Sequence, residues 1–222
     1  MANKESARHT LSRLKASFSD LRDRHRARHT PTGFGFVFAD RIDYLDPVRW
    51  NEVTRDSSFF LRADILRVIE QHGPENIESR YAMVFRGDRA VAALAVQVVT
   101  VTGERLRRDA AVAKAAPKGG VLRRLLAPAA RTAGAGLRER VLVAGNLLSW
   151  GFHGIAFAPG EDHPAIWPAV AEALYRIRRA EKLSGEADFA MVKDVTAAQP
   201  GAAVLRRYSY RALETEPNMV LA

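Results

Sequence analysis

Two apolar runs, Arg80–Phe85 and Ala90–Thr102, flank the polar turn Arg86-Gly87-Asp88-Arg89, a pattern that predicts an antiparallel β-hairpin. The second run is apolar at nearly every position, so it is expected to be a central strand covered on both faces. Elsewhere the spacing is helical. Leu11, Leu14, Phe18 and Leu21 recur among Arg and His within residues 3–28, which predicts a basic amphipathic helix. The run Phe34–Phe38 reads as extended, and Asp46-Pro47 reads as a helix start with proline in the first turn. Asp56-Ser57-Ser58 interrupts that helix. It can cap a second one, Phe59 to Gln71, with Phe60, Ile65, Leu66, Val68 and Ile69 as its apolar face and Gly73-Pro74 as its stop.

Periodicity fails between residues 103 and 139, where Pro117, Lys118-Gly119-Gly120, Pro128, Gly134 and Gly136 mark an insertion with short helical pieces around Leu122–Leu126. A strand is expected at Val141–Leu148, with Gly145-Asn146 marking a bulge or a close backbone approach. Pro164 and Pro168 lie near the start of a helix reaching Lys182, capped by Asp162 and lined on one face by Ile166, Val170, Leu174 and Ile177. A strand Asp188–Val195, a short helix Ala197–Arg207 and a strand Ser209–Glu214 follow, and Glu216-Pro217 redirects the chain into Asn218–Leu221. Trp50, Phe59, Phe60 and Trp167 are assigned to packing.

With 222 residues, 47% of them hydrophobic, the chain can bury one core of ordinary size. No apolar run approaches the roughly 20 residues of a membrane span, and charges occupy the N-terminus where a signal peptide needs its apolar region. A cytoplasmic protein is expected. The chain has no cysteine, which excludes disulfides, thiolate zinc sites and a cysteine nucleophile, and its six histidines show no HExxH-like spacing, so no metal site is expected. Charge is unevenly placed. Residues 1–30 hold +5 and residues 104–140 hold +7 of the net +9, leaving −3 on the rest. Two basic segments on a nearly balanced body suit a polyanion, either RNA or an anionic membrane surface touched peripherally. A solvated basic arm and insertion account for the same charge.

The predicted elements run in order as two helices, a hairpin, an insertion, strand, helix, strand, helix, strand, an α+β arrangement. This order resembles the GNAT acyltransferase fold, and more narrowly the FemAB/FemX-like branch. The resemblance is carried by Phe59-Phe60-Leu61, Arg80-Tyr81-Ala82-Met83-Val84, Val143-Ala144-Gly145-Asn146-Leu147 with His153-Gly154, Met191-Val192-Lys193-Asp194, and Glu216-Pro217-Asn218-Met219-Val220-Leu221. It covers roughly residues 44–222, leaving 1–43 as a basic arm and lead-in. It implies a mixed, mostly antiparallel sheet flanked by helices, and an acyl- or aminoacyl-transferase acting on an amine acceptor. The alternative is a non-catalytic binding half that holds RNA, an anionic membrane or a partner subunit. GNAT enzymes that use acetyl-CoA cradle its pyrophosphate on backbone N–H groups at a helix start. Here that place reads Ala158-Pro159-Gly160-Glu161-Asp162-His163-Pro164, whose acids and prolines disfavour acyl-CoA and leave aminoacyl-tRNA or another activated acyl donor. FemX-like proteins pair two such domains, so a second GNAT-like domain or subunit is expected against the apolar C-terminal strand.

The candidate chemistry lies mainly between Asn146 and Asp194. Asn146, beside the expected bulge, is a candidate oxyanion donor or a turn residue satisfying local backbone. His153 is a candidate general base or a loop histidine. Glu161, Asp162 and His163 can form an acid/base cluster, bind a substrate ammonium, or serve as ordinary capping residues with acids well placed on the helix dipole. Trp150, Lys193, Asp194 and Tyr208 are candidate substrate contacts, with an internal ion pair the alternative for Lys193. Arg123, Arg124, Arg206 and Arg207 are candidate polyanion contacts.

Overall fold

The structure is a computed structural model, and it describes residues 19–23, 25–26, 29–103, 138–149, 154–184, 187, 189–196 and 199–214. The fold is α+β, with a six-stranded, mostly antiparallel sheet and helices on its faces. The strands are β1 (Gly35–Ala39), β2 (Ile77–Arg86), β3 (Arg89–Thr102), β4 (Arg138–Ala144), β5 (Ile155–Phe157) and β6 (Phe189–Val192). The helices are α1 (Pro47–Thr54), α2 (Ala63–His72) and α3 (His163–Leu183), joined by 3-10 segments at Ile42–Tyr44, Phe59–Leu61 and Pro200–Tyr208. Strand order is β1-β2-β3-β4-β6, with β5 also on β3.

The hairpin forms as its pattern predicts. Gly87, at φ +59°, supplies the left-handed conformation that a two-residue connection needs, and β3 is buried along nearly its whole length. Side chains alternate across the sheet. Ala92, Leu94, Val96 and Val98 meet the Ile166, Trp167, Val170, Leu174 and Ile177 face of α3. Ala93 and Ala95 point to the opposite face, under Trp50 and Val53 of α1, Leu61, and Leu66 of α2. Val99, Val101, Val141 and Val143 continue that second face with Leu147 and Met191. The helix β5–α3–β6 crossover makes β6 parallel to β4, the connection a parallel pair requires.

Several expectations are corrected. Asp46 caps α1 by accepting from the Val48 and Arg49 amides, but Ser58 caps only the 3-10 turn Phe59–Leu61, and α2 begins at Ala63. Leu61, Ala63 and Leu66 are the buried residues there; Phe59, Phe60 and Val68 are exposed, because the turn rotates the face that meets the sheet. Trp50 and Trp167 are buried as expected. The strand expected at Val141–Leu148 begins at Arg138 and ends at Ala144, and a further strand, β5, follows at Ile155–Phe157. Residues 210–214 form no strand, since Ser209 turns the chain through φ +68°. β1 lies inside the expected lead-in, yet pairs with β2 from Gly35 to Ala39. The helix 3–28, the insertion interior and Asn218–Leu221 lie largely or wholly outside the described residues. No described helix is long and apolar enough to cross a membrane.

Candidate functional site

The outer edge of β3 is not covered by one strand. β4 pairs with Val96–Thr102 and β5 with Ala92–Leu94, both antiparallel, so together they form a single line interrupted over residues 145–154. Ala95 sits at the interruption. Its carbonyl accepts from Gly145 N–H at 3.2 Å and its N–H donates to Gly154 O at 2.8 Å, which pinches the loop into a neck. Both neck residues are glycines with positive φ, +138° at Gly145 and +72° at Gly154. A Cβ on Gly154 would lie 2.5 Å from Ala95 O and 2.7 Å from Gly145 N, so the close approach requires glycine. The expected close approach at Gly145 is therefore real, with Gly154 as its counterpart.

Buried polar side chains collect at this neck. Gln97, on the face of β3 opposite α3, accepts from Leu147 N–H at 2.8 Å and donates to Asn146 Oδ1 at 3.3 Å. Asn146 Oδ1 also accepts from Leu148 N–H at 2.9 Å, which fixes the orientation of the amide because a backbone N–H only donates. Asn146 Nδ2 is buried and finds no acceptor among the described residues. An unsatisfied buried donor costs about 1–3 kcal/mol, so this amide nitrogen has hydrogen-bonding capacity that the described residues leave unused.

Lys193 follows β6 and its side chain is nearly buried. The ammonium donates to Asn146 O at 2.9 Å and Ser149 O at 2.6 Å and pairs with Asp194 at 3.0 Å. An ammonium has three N–H donors, and three acceptors take them all. Lys193 thus clamps the loop, and Asp194, at φ +54°, completes the clamp. Neither partner carbonyl belongs to a side chain, so sequence spacing gave no signal for this role.

At the start of α3, a shallow cleft of about 360 Å³ is lined by Glu161, Asp162, His163, Pro164, Trp167, Gln199 and Gly201. Gly201 permits the 3-10 segment to approach, since a Cβ there would meet Trp167 at 2.3 Å. Asp162 does not cap through its side chain, which corrects the expectation; its backbone carbonyl accepts from Ala165 and Ile166. His163 stacks on Phe157 at 4.3 Å. The Glu161 carboxylate, nearly buried, is held by Arg86 at 2.9 Å and Arg89 at 3.3 Å from the hairpin turn. The structure therefore balances one of the two acids at this helix start, a feature that local sequence could not reveal.

Tyr208 is buried in the main core, and burial, reinforced by the nearby Glu172 charge, raises its phenol above the ordinary value. Arg206 and Arg207 are exposed at the end of the Pro200–Tyr208 segment. His153, Trp150, Arg123 and Arg124 lie outside the described residues. The structure thus brings Asn146, Lys193 and Asp194 together, and Asp162 with His163 in the separate cleft. Among the described residues no group of three or more His, Asp or Glu side chains is arranged to hold a metal ion. Compared with protein-family models, with curated proteins and with solved structures, the chain matches none.

Proposed function

We propose that this chain carries an acyl- or aminoacyl-transferase domain of GNAT/FemX type, acting on an amine acceptor at the interrupted edge of β3. The observation that supports this reading is the Asn146 amide: its oxygen is committed to Leu148 and Gln97, and its buried Nδ2 has no acceptor among the described residues. A carbonyl oxygen held there gains stabilisation as negative charge builds on it. The amine nitrogen attacks the carbonyl carbon, the C–N bond forms, the bond to the thiol or hydroxyl leaving group breaks, and the amine proton passes to solvent or a base. Lys193 and Gln97 act as positioning residues for this donor. The parallel β4/β6 pair supports the reading by placing the loops after both strands at one end of the sheet, where α/β folds commonly bind ligands.

A second reading is a non-catalytic binding domain, and it is favoured by the commitment of Lys193 and Glu161 to internal partners. Incubation with acetyl-CoA, longer acyl-CoAs and aminoacyl-tRNA in the presence of primary amines, followed by mass spectrometry for an amide product, separates the two. The transferase reading expects an amide with at least one donor, and a fall of roughly 100-fold or more in Asn146→Asp, the size of an oxyanion-donor loss. Absence of product with every donor, or turnover untouched in Asn146→Asp, rejects it.

A further inference from the structure

β1 ends the strand order, and no described strand covers its outer side. Which backbone groups face outward follows from the ladder. Ala95 exchanges bonds with Gly145 and Gly154, and Ala158 donates to Val91 O, so the odd residues of β3 here turn their N–H and C=O toward β4 and β5. The even residues turn theirs toward β2. Leu94 lies opposite Ala82, so Ala82 bonds β3 while Tyr81 and Met83 face β1. Met83 and Tyr81 lie opposite Val37 and Ala39. Val37 and Ala39 therefore direct their backbone groups to β2, and Phe36 and Phe38 direct theirs to the outer side, where no described strand lies.

Two usual protections of an edge strand, charge and proline, are missing from its sequence. From Gly33 to Ala39 there is no charged residue and no proline, and Val37 and Phe38 are 44% and 42% exposed. The occupant is indicated by symmetry: Phe36-Val37-Phe38 reads identically in both directions. We propose that β1 pairs antiparallel with β1 of a second copy of this chain, about a two-fold axis through Val37. Each Phe36 then faces the other copy's Phe38 in a hydrogen-bonded pair, and the outward N–H and C=O of both residues are satisfied in both copies. Val37 faces its own counterpart in the closer, non-hydrogen-bonded pair. Phe36 and Phe38 already stack at 6.0 Å with 11° between their planes, so the pairing aligns four rings on the α3 face, next to Arg176 over Phe36. Aromatic cross-strand pairs of this kind are favourable.

The proposal does not depend on the transferase reading. Its test uses the full chain, which has no cysteine of its own. In a non-hydrogen-bonded pair the Cα atoms lie about 4.5 Å apart, within the span of a disulfide. Val37→Cys is expected to form an intermolecular disulfide under mild oxidant at least tenfold faster than Leu183→Cys, at a 78% exposed position on α3. By sedimentation at tens of micromolar, the wild-type chain is expected to be a dimer and Val37→Lys a monomer with an unchanged circular dichroism spectrum. A wild-type monomer, equal cross-linking rates at the two positions, or a dimer that survives Val37→Lys overturns the proposal.

Discussion

The two edges of β3 are covered differently. Toward β2 the ladder runs from Ile77 to Arg86 with one irregularity between Val84 and Phe85, whereas toward β4 and β5 it is split at Ala95, the excursion beginning after Ala144 and ending before Ile155. On the continuous side residues 81–85 and 90–96 are apolar, and their burial fixes the register where they pair. On the split side, Gln97, Asn146 and Lys193 are drawn into the interior, because a loop that leaves a sheet carries backbone groups that need partners. A split ladder is therefore stabilised by specific hydrogen bonds, which are also what a binding site requires.

The largest expected effect tests the neck itself. Gly154→Ala forces a Cβ against backbone atoms of Ala95 and Gly145, which cannot move aside as a side-chain tip can, and does so at φ +72°. Overpacking and left-handed strain together predict a loss of roughly 3 kcal/mol or more. Gly160→Ala is the control: φ is similar, +75°, but nothing lies within 4 Å of its Cβ, so only about 1 kcal/mol of conformational cost is expected. Urea unfolding of both variants measures the difference. Equal losses would show that the neck is not tightly closed.

This difference between edges also explains what could be read from sequence. The hairpin was legible because Gly87-Asp88 and the flanking apolar runs agree at the level of turn, pattern and burial. The end of β4 was not, because Leu147 and Leu148 prolong the apolar run past Ala144, although Leu148 is 49% exposed in the excursion. β5, at three residues, is too short for alternation to register. Asn146 stood out in the sequence, since Gly-Asn inside an apolar strand is anomalous. Its dependence on Gln97 and Lys193 did not, because those contacts span 49 and 47 positions of sequence.

The next effect, in descending size, concerns the clamp. Lys193→Met keeps the stem of the side chain but removes the ammonium that joins Asn146 O and Ser149 O. Hydrogen bonds to charged groups contribute about 1.5–3 kcal/mol, so a loss near 2 kcal/mol is expected by urea unfolding. Asn146 should respond too: its side-chain amide resonances in a nitrogen-proton correlation spectrum are expected to shift or broaden. A variant with full stability and an unmoved Asn146 amide would mean that the loop is held by Gln97 alone.

The smallest effect contrasts this cationic anchor with an anionic one beneath the far side of the sheet. Glu172, on α3, accepts from Thr32 N–H at 2.7 Å and Thr32 Oγ1 at 2.6 Å, and pairs with Arg176 at 2.6 Å, so it ties the segment entering β1 to the helix. Burial pushes its carboxyl upward, but the Thr32 hydroxyl and amide and the Arg176 guanidinium together pull it below the ordinary value. A carboxyl whose pKa is depressed on folding binds its proton more readily in the unfolded chain. It therefore adds stability above the unfolded value, near 4.5, and that contribution disappears as pH falls through the depressed folded value. The stability difference between the wild-type chain and Glu172→Gln should be level from pH 7 to about 5 and shrink at lower pH. Urea midpoints of the two proteins measured from pH 7 to about 2 test this, since a difference that stays constant or widens in acid would mean that the anchor is held by shape and not by charge.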